Sequence, residues 1–172
     1  MAQPLDRTAE LMTDEDVTEV SLSVDKILCP TDGSATAVEA TKVAVSMAKC
    51  FGAEVIALYV DFGNVETPME YLDTEALEGV RHSAAGLAIA AKIGAKNGVK
   101  VSCVTAAGAV GHQIIDAARE HGVGMIVIGS EGRTGFKRLA LGSVAESVMK
   151  EATVPVLVVR RCSTEFCMTP RG

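Results

Sequence analysis

The chain has no tryptophan, two tyrosines and four phenylalanines among its 172 residues. So few aromatics cannot build the stacking platform that reads single-stranded bases, and they are also few for a sugar-binding surface. A planar ligand would therefore be held largely by backbone and aliphatic groups. No apolar run reaches the ~18 residues of a membrane span, and the N-terminus is acidic where a signal peptide would be basic and then apolar. No membrane partner and a cytoplasmic location are expected. With 5 prolines, 48% hydrophobic and 22% charged residues, the composition is neither disordered nor fibrous. The length suits one domain with tails and leaves no room for a second catalytic domain.

The net charge of -6 is unevenly placed. Residues 1–23 hold six acids (Asp6, Glu10, Asp14, Glu15, Asp16, Glu19) against one base, Arg7, which leaves 16 acids and 15 bases for the rest. A body so close to neutral has no broad basic face for a duplex, so no nucleic-acid partner is expected. The five cysteines (Cys29, Cys50, Cys103, Cys162, Cys167) are odd in number and scattered. Three fall in predicted strands or helices and read as buried free thiols. Cys162 and Cys167 lack a CxxC spacing or a nearby His that would favour metal.

Two phosphate-binding signatures are also missing. There is no GxxxxGK[ST], and no GxGxxG follows a strand, so the P-loop and dinucleotide-binding readings fail. His82, His112 and His121 have no metal-ligand spacing, and no Ser or Cys sits beside a base in a recognisable nucleophile motif. No catalytic residue is assigned. No water-orienting residue or arginine finger for phosphoryl transfer is identifiable either.

What the chain does have is alternation. Short β-branched runs at Asp25 to Cys29, Glu54 to Val60, Lys100 to Thr105, Met125 to Ile128 and Val156 to Val159 are separated by helical patterns, the signature of βαβ units and a parallel sheet. The continuous apolar character of the second, fourth and fifth runs fits strands covered on both faces. Ala37, Ala40, Ala44, Met47, Ala48 and Phe51 recur at helical spacing, with Ser34 as N-cap. A second helix is predicted from Thr67-Pro68-Met69-Glu70 to Asn97-Gly98, weakened by Gly79, Gly86 and Gly94 at ~1 kcal/mol each. A third is predicted over Gln113 to Glu120. The fourth covers Val144 to Ala152 and opens on a capping box, Ser143 to Glu146. These elements make a doubly wound α/β domain at 24–160 with tails at 1–23 and 161–172. Ligands of such folds bind at the carboxyl ends of strands where the order reverses.

The chemistry is concentrated after the fourth strand. Gly129-Ser130-Glu131-Gly132-Arg133-Thr134-Gly135-Phe136-Lys137-Arg138-Leu139-Ala140-Leu141-Gly142-Ser143 leads straight into a helix. Dense glycines let backbone amides turn toward an anion, and the helix start adds donors and partial positive charge. The spacing Gly-x2-Gly-x9-Gly-Ser at Gly129, Gly132, Gly142 and Ser143, with the VPVLVV strand after it and Pro30-Thr31-Asp32-Gly33-Ser34 after the first strand, resembles the nucleotide-binding branch of the universal stress protein family. The resemblance covers residues 24–160. It implies an open five-stranded sheet of order 3-2-1-4-5 with helices on both faces, an adenine nucleotide α-hydrolase-like fold, and ATP across the ends of strands one and four.

By position, the resemblance implies that Asp32 and the Pro30-Thr31 backbone line the adenine and ribose pocket, with the Val60 backbone selecting adenine. Gly129 and Gly132 would admit ribose and α-phosphate close to the backbone, with Ser130 between them also at the nucleotide. Gly142, Ser143 and Val144 would donate amides, and Ser143 its hydroxyl, to the outer phosphates, with Arg133, Lys137 and Arg138 adding positive charge. ATP, ADP or AMP is the implied ligand, with Mg2+ held through phosphates and water. The segment Gly108-Ala109-Val110-Gly111-His112 lacks the proline that often starts the next helix in relatives. Blander readings stand beside these. The glycines would then be turn formers, Asp32 a cap of the first helix, Ser143 an N-cap only, Arg133, Lys137 and Arg138 solvated, and Glu131 turned to water.

In the implied strand order Val156 to Val159 lies at a sheet edge, and an apolar edge strand needs a partner. The resemblance implies a homodimer through that strand. The leading expectation is a nucleotide-binding stress-response or regulatory module; the alternatives are a weak ATPase and a dimeric interaction scaffold with an empty pocket. The acidic arm 1–23 would meet a basic partner or compete with nucleotide at the basic residues of the loop.

Overall fold

The structure, a computed structural model, describes residues 23–61, 74–132 and 141–160, with residues 74–83 as helical backbone only. The elements run β1 (Lys26–Pro30), α1 (Ala35–Phe51), β2 (Glu54–Asp61), α2 (Thr74–Asn97), β3 (Val101–Ala107), α3 (Val110–Glu120), β4 (Met125–Gly129), α4 (Ser143–Glu151) and β5 (Val156–Val159). The strands form one sheet of order β3-β2-β1-β4-β5 with every pairing parallel. This is the doubly wound α/β architecture expected from the sequence.

The continuous apolar runs are explained by the two faces of the sheet. Successive side chains of a strand point to opposite sides. Ile27, Cys29, Val55 and Val127 pack on one face with Ala40, Ala44, Val45 and Ala48 of α1. Leu28, Ile56, Leu58, Ile126 and Ile128 pack on the other with Ile114 and Ile115 of α3 and Ala145 and Val148 of α4. A strand covered on both sides needs apolar residues at every position. The edges differ: Cys103, Thr105 and Ala107 of β3 are exposed, and Leu157 of β5 is 37% exposed.

Helix α1 follows its sequence signals. Ser34 is its N-cap and its Oγ accepts the Ala37 N–H at 3.2 Å. Helix α2 ends at Asn97 as predicted, while its predicted start at Thr67-Pro68 lies outside the described residues. Its glycines are more than a cost in helix propensity. A Cβ on Gly94 would collide with Val101 Cγ2 and meet the Val99 carbonyl oxygen at 2.8 Å. The helix lies so close to the chain entering β3 that no side chain fits between them.

Three expectations are corrected. Helix α3 begins at Val110, three residues before the predicted start, and its N-cap Ala109 makes no side-chain capping bond. Gly111 packs there so tightly that a Cβ would meet Ser147 Oγ of α4 at 2.8 Å. Packing against α4 therefore accompanies a helix start that local sequence does not mark. Second, Gly142 and not Ser143 is the N-cap of α4, and the capping box does not form: Glu146 bonds Lys150 Nζ at 2.6 Å instead. Third, of the three cysteines expected to be buried free thiols, only Cys29 is buried; Cys50 and Cys103 are free and exposed. Cys50 sits near the end of α1, and Cys103 is on the outer strand of the sheet.

Candidate functional site

The chain leaves β1 through α1 toward β2 and β3, and reaches β4 on the other side of β1. The order therefore reverses between β1 and β4, which are paired neighbours, and a crevice opens at their carboxyl ends. Two segments meet there, residues 30–34 and, from the glycine loop, the described residues 129–132 and 141–144.

The first segment is locked by its own side chains. Thr31 is buried; its N–H donates to the Leu58 carbonyl at 2.8 Å, extending the β1–β2 ladder by one bond. Its Oγ1 accepts the Gly33 N–H at 3.3 Å, and Asp32 Oδ1 accepts the Ser34 N–H at 2.9 Å. Short hydroxyl and carboxylate side chains that bind amides two residues on are the chemistry of tight turns. Gly33 has φ 76°, a left-handed conformation open to glycine. Asp32 thus braces the turn, and the helix cap proper is Ser34.

Val60 stands at the same end of the sheet. Pro30 pairs with Leu58 as the last β1–β2 register pair, so Val60 lies two residues beyond it. Leu58 turns its carbonyl to β1, where Thr31 donates to it, and Asp61 turns its own to the Gly108 N–H on the β3 side. Backbone groups alternate sides along a strand, so those of Val60 face the β1 side, above the point where β1 has turned away. Its side chain packs at the edge of the second core cluster.

The second segment is a loop closed at its neck. Ser130 is buried; its N–H donates to the Val159 carbonyl at 2.8 Å, and its own carbonyl accepts the Gly142 N–H at 2.8 Å. Both ends of the glycine loop are thereby held together at the tip of β4. The neck also accounts for the shifted start of α4: Gly142 is held at Ser130, and the Glu146 N–H donates to its carbonyl at 2.9 Å, opening the helix at Ser143. Ser143 is exposed and Val144 half-buried, in the first turn. Amides of a first turn have no intrahelical acceptor and carry the positive end of the helix dipole.

The glycines of this segment serve different contacts. A Cβ on Gly132 would lie 3.0 Å from Asp32 Oδ2, and one on Gly142 3.0 Å from the Ser130 carbonyl oxygen. On Gly129 it would meet Thr36 Cγ2 at 3.1 Å and the Thr36 carbonyl carbon at 3.2 Å, so the space its missing side chain leaves is filled by α1. Glu131, expected to face water, is half-buried.

The structure thus brings Pro30, Thr31, Asp32, Val60, Gly129, Ser130, Gly132, Gly142, Ser143 and Val144 to one end of the sheet. Arg133, Lys137 and Arg138 lie outside the described residues. Thr36 and Gly86 were missed as neighbours of the site by sequence reasoning; neither carries a local signal, because their contacts cross from one element to another. Glu146, at the start of α4, is tied to Lys150, whose ammonium holds its carboxyl below the ordinary range. Among the described residues no group of three His, Cys, Asp or Glu side chains could hold a metal ion. No helix among them is long and apolar enough to cross a membrane.

Comparison with known proteins places the fold. Universal stress protein MJ0531 of Methanocaldococcus jannaschii is 37% identical over 150 residues, covering 81% of this chain and 84% of that protein. The structure of universal stress protein UspA from Lactobacillus plantarum superposes with a TM-score of 0.70 at 28% identity, over 81% of this chain and 100% of that one. A universal stress protein solved in complex with cAMP shares the fold, with a TM-score of 0.65 at 23% identity over 80% of this chain and 97% of that one. The model of the universal stress protein family matches residues 23–160, from the residue before the first buried valine to the residue after β5, and the chain belongs to that family.

Proposed function

We propose that this chain binds an adenine nucleotide across the carboxyl ends of β1 and β4 and acts as a nucleotide-dependent stress-response or regulatory module. The observation that carries the reading is the meeting of Asp32 Oδ2 with Gly132 above the Ser130–Gly142 neck. It sets a carboxylate suited to ribose hydroxyls beside a loop whose backbone is open to close approach and which runs into a helix start. The Val60 backbone groups, past the end of the β1 ladder, suit the edge of adenine, with Pro30 and Thr31 beside them. Gly132 and Ser130 admit ribose and the α-phosphate, with Gly129 packed beneath them. Gly142, Ser143 and Val144 meet the outer phosphates with amides and the Ser143 hydroxyl, and Arg133 adds charge. Mg2+ is held through phosphate oxygens and water. The cAMP complex of a protein with this fold supports the fold's capacity for an adenine nucleotide; the assignment here rests on the residues named.

In the same reading the protein is a cytoplasmic homodimer paired through β5, whose apolar outer edge is open among the described residues. The segments 1–23 and 161–172 are appendages of the domain. The test is the nucleotide content of freshly purified protein after heat extraction, followed by calorimetry with AMP, ADP and ATP in the presence of Mg2+. Saturable binding of at least one of them is expected. No extracted nucleotide together with no heat of binding would overturn the proposal.

A further inference from the structure

Gly86 lies in the middle of α2, far in sequence from both halves of the site, and it is buried. A Cβ at this position would meet the Gly33 backbone nitrogen at 3.0 Å, Thr31 Oγ1 at 3.0 Å and Gly33 Cα at 3.3 Å. The first two are the donor and acceptor of the bond that closes the turn after β1, from the Gly33 N–H to Thr31 Oγ1. The next bond along, from the Ser34 N–H, holds Asp32 Oδ1. Helix α2 therefore rests against the turn that aims Asp32, and the missing side chain of Gly86 sets how closely it approaches.

We infer that Gly86 is a positioning residue for the nucleotide site, acting through the Thr31–Gly33 turn on the direction of Asp32. The inference rests on the nucleotide reading given above. A methyl group at Gly86 has no flexible side-chain end to push aside: two of its three neighbours are backbone atoms, and the third is a β-branched hydroxyl already bonded to one of them. Either the turn moves by a few tenths of an ångström or the helix does. Helix propensity, in contrast, favours alanine over glycine in a helix interior. That gain offsets part of the overpacking cost of the methyl group, so the effect on the site is read from nucleotide affinity and amide shifts and not from stability, readouts that a purely structural glycine would not move.

The turn bears on the nucleoside half of the ligand and leaves the phosphate loop alone. Gly86→Ala is expected to weaken AMP and ATP by the same factor, about tenfold, the scale of one displaced charge-assisted hydrogen bond. Gly94→Ala is the control, because its Cβ would collide with Val101 and Val99 at the far end of the same helix. It should lower the melting temperature while folded protein keeps its nucleotide affinity. In nucleotide-free protein, amide spectra should show Gly33 and Ser34 displaced in Gly86→Ala and unmoved in Gly94→Ala. In the unsubstituted protein, titration with AMP should move the Gly86 amide in step with those of Gly33 and Ser34, and this holds even where the variant fails to fold. Unchanged affinity in folded Gly86→Ala, unmoved Gly33 and Ser34 amides in that variant, or a Gly86 amide indifferent to AMP would overturn the inference. Unsubstituted protein that binds no adenine nucleotide would overturn the reading of the site and this inference with it, a result distinct because it needs no variant.

Discussion

Asp32 and Gly132 face each other at the crevice between β1 and β4, so close that a methyl group on Gly132 would sit 3.0 Å from Asp32 Oδ2. The carboxylate's other oxygen is held by the Ser34 N–H at 2.9 Å. One residue of the glycine loop thus borders the carboxylate that braces the first turn.

A branched side chain at position 132 should therefore injure the site and spare the fold. Gly132 is exposed, so Gly132→Val should melt close to the unsubstituted protein while its affinity for ATP falls at least about tenfold, as a charged group loses its place. Calorimetry beside thermal melts reads both quantities. Retained affinity would mean that Asp32 and Gly132 do not border the ligand.

Gly129 should behave in the opposite way. Its Cβ would press on the Thr36 backbone and Cγ2 at the buried start of α1, and overpacking of this kind costs about 1–3 kcal/mol. Urea denaturation of Gly129→Ala should show that loss of stability, while the folded fraction still binds nucleotide. A variant as stable as the parent would refute the close packing.

Cys29 should be silent to reagents that label Cys50 and Cys103. It is fully buried on β1 against Thr41, and burial pushes its thiol up to about 11, against the smaller opposing effect of the Thr41 hydroxyl. Site-resolved alkylation at pH 8 followed by mass spectrometry should find Cys50 and Cys103 modified and Cys29 intact. The same shift has a pH signature. An unfolded thiol ionises near about 8.5, so the folded state is favoured below that value and loses this advantage as pH rises toward 11. The native protein should lose roughly 3 kcal/mol more than Cys29→Ala over that interval. Parallel stability profiles for the two proteins would contradict it.

Leu157 is 37% exposed in the middle of β5, at the edge of the sheet. If two chains pair there, a charge at this position should break the pairing, since lysine is a common guard of open edges. Leu157→Lys should shift the mass seen by light scattering from dimer to monomer with melting little changed. A parent protein that is monomeric at micromolar concentration would remove the dimer altogether.

How much of this could be read in advance depends on the range of the interactions. The five strands, Ser34 as a cap, the end of α2 at Asn97 and the glycine spacing after β4 all appear as local patterns. Burial on both faces of a parallel sheet forces apolar runs, and a cap must be a short polar side chain at one definite place. The start of α3 was not legible, because Ala109 offers no capping side chain and Gly111 reads as a helix breaker until Ser147 of α4 is seen against it. The first residue of α4 was misplaced by one for a similar reason: Ser143 and Glu146 look like a capping pair, but the Gly142–Ser130 bond sets the frame. Exposure of Cys50 and Cys103 likewise depends on which strand is outermost and which turn of α1 overhangs the sheet.

By itself the sequence determined that the chain is a parallel α/β domain, that its glycine loop follows the fourth strand, and that its acidity is concentrated before the first. Those properties follow from periodicity, composition and the conformational limits of glycine and proline, all local to a few residues. Only the tertiary structure decided that Asp32 lies against Gly132, that Ser130 closes the neck of the loop, and that Gly86 of α2 supports the turn from behind. Each of these is a contact between segments far apart in the chain. Such contacts depend on strand order, register and the close packing of helices on a sheet, which no local pattern encodes.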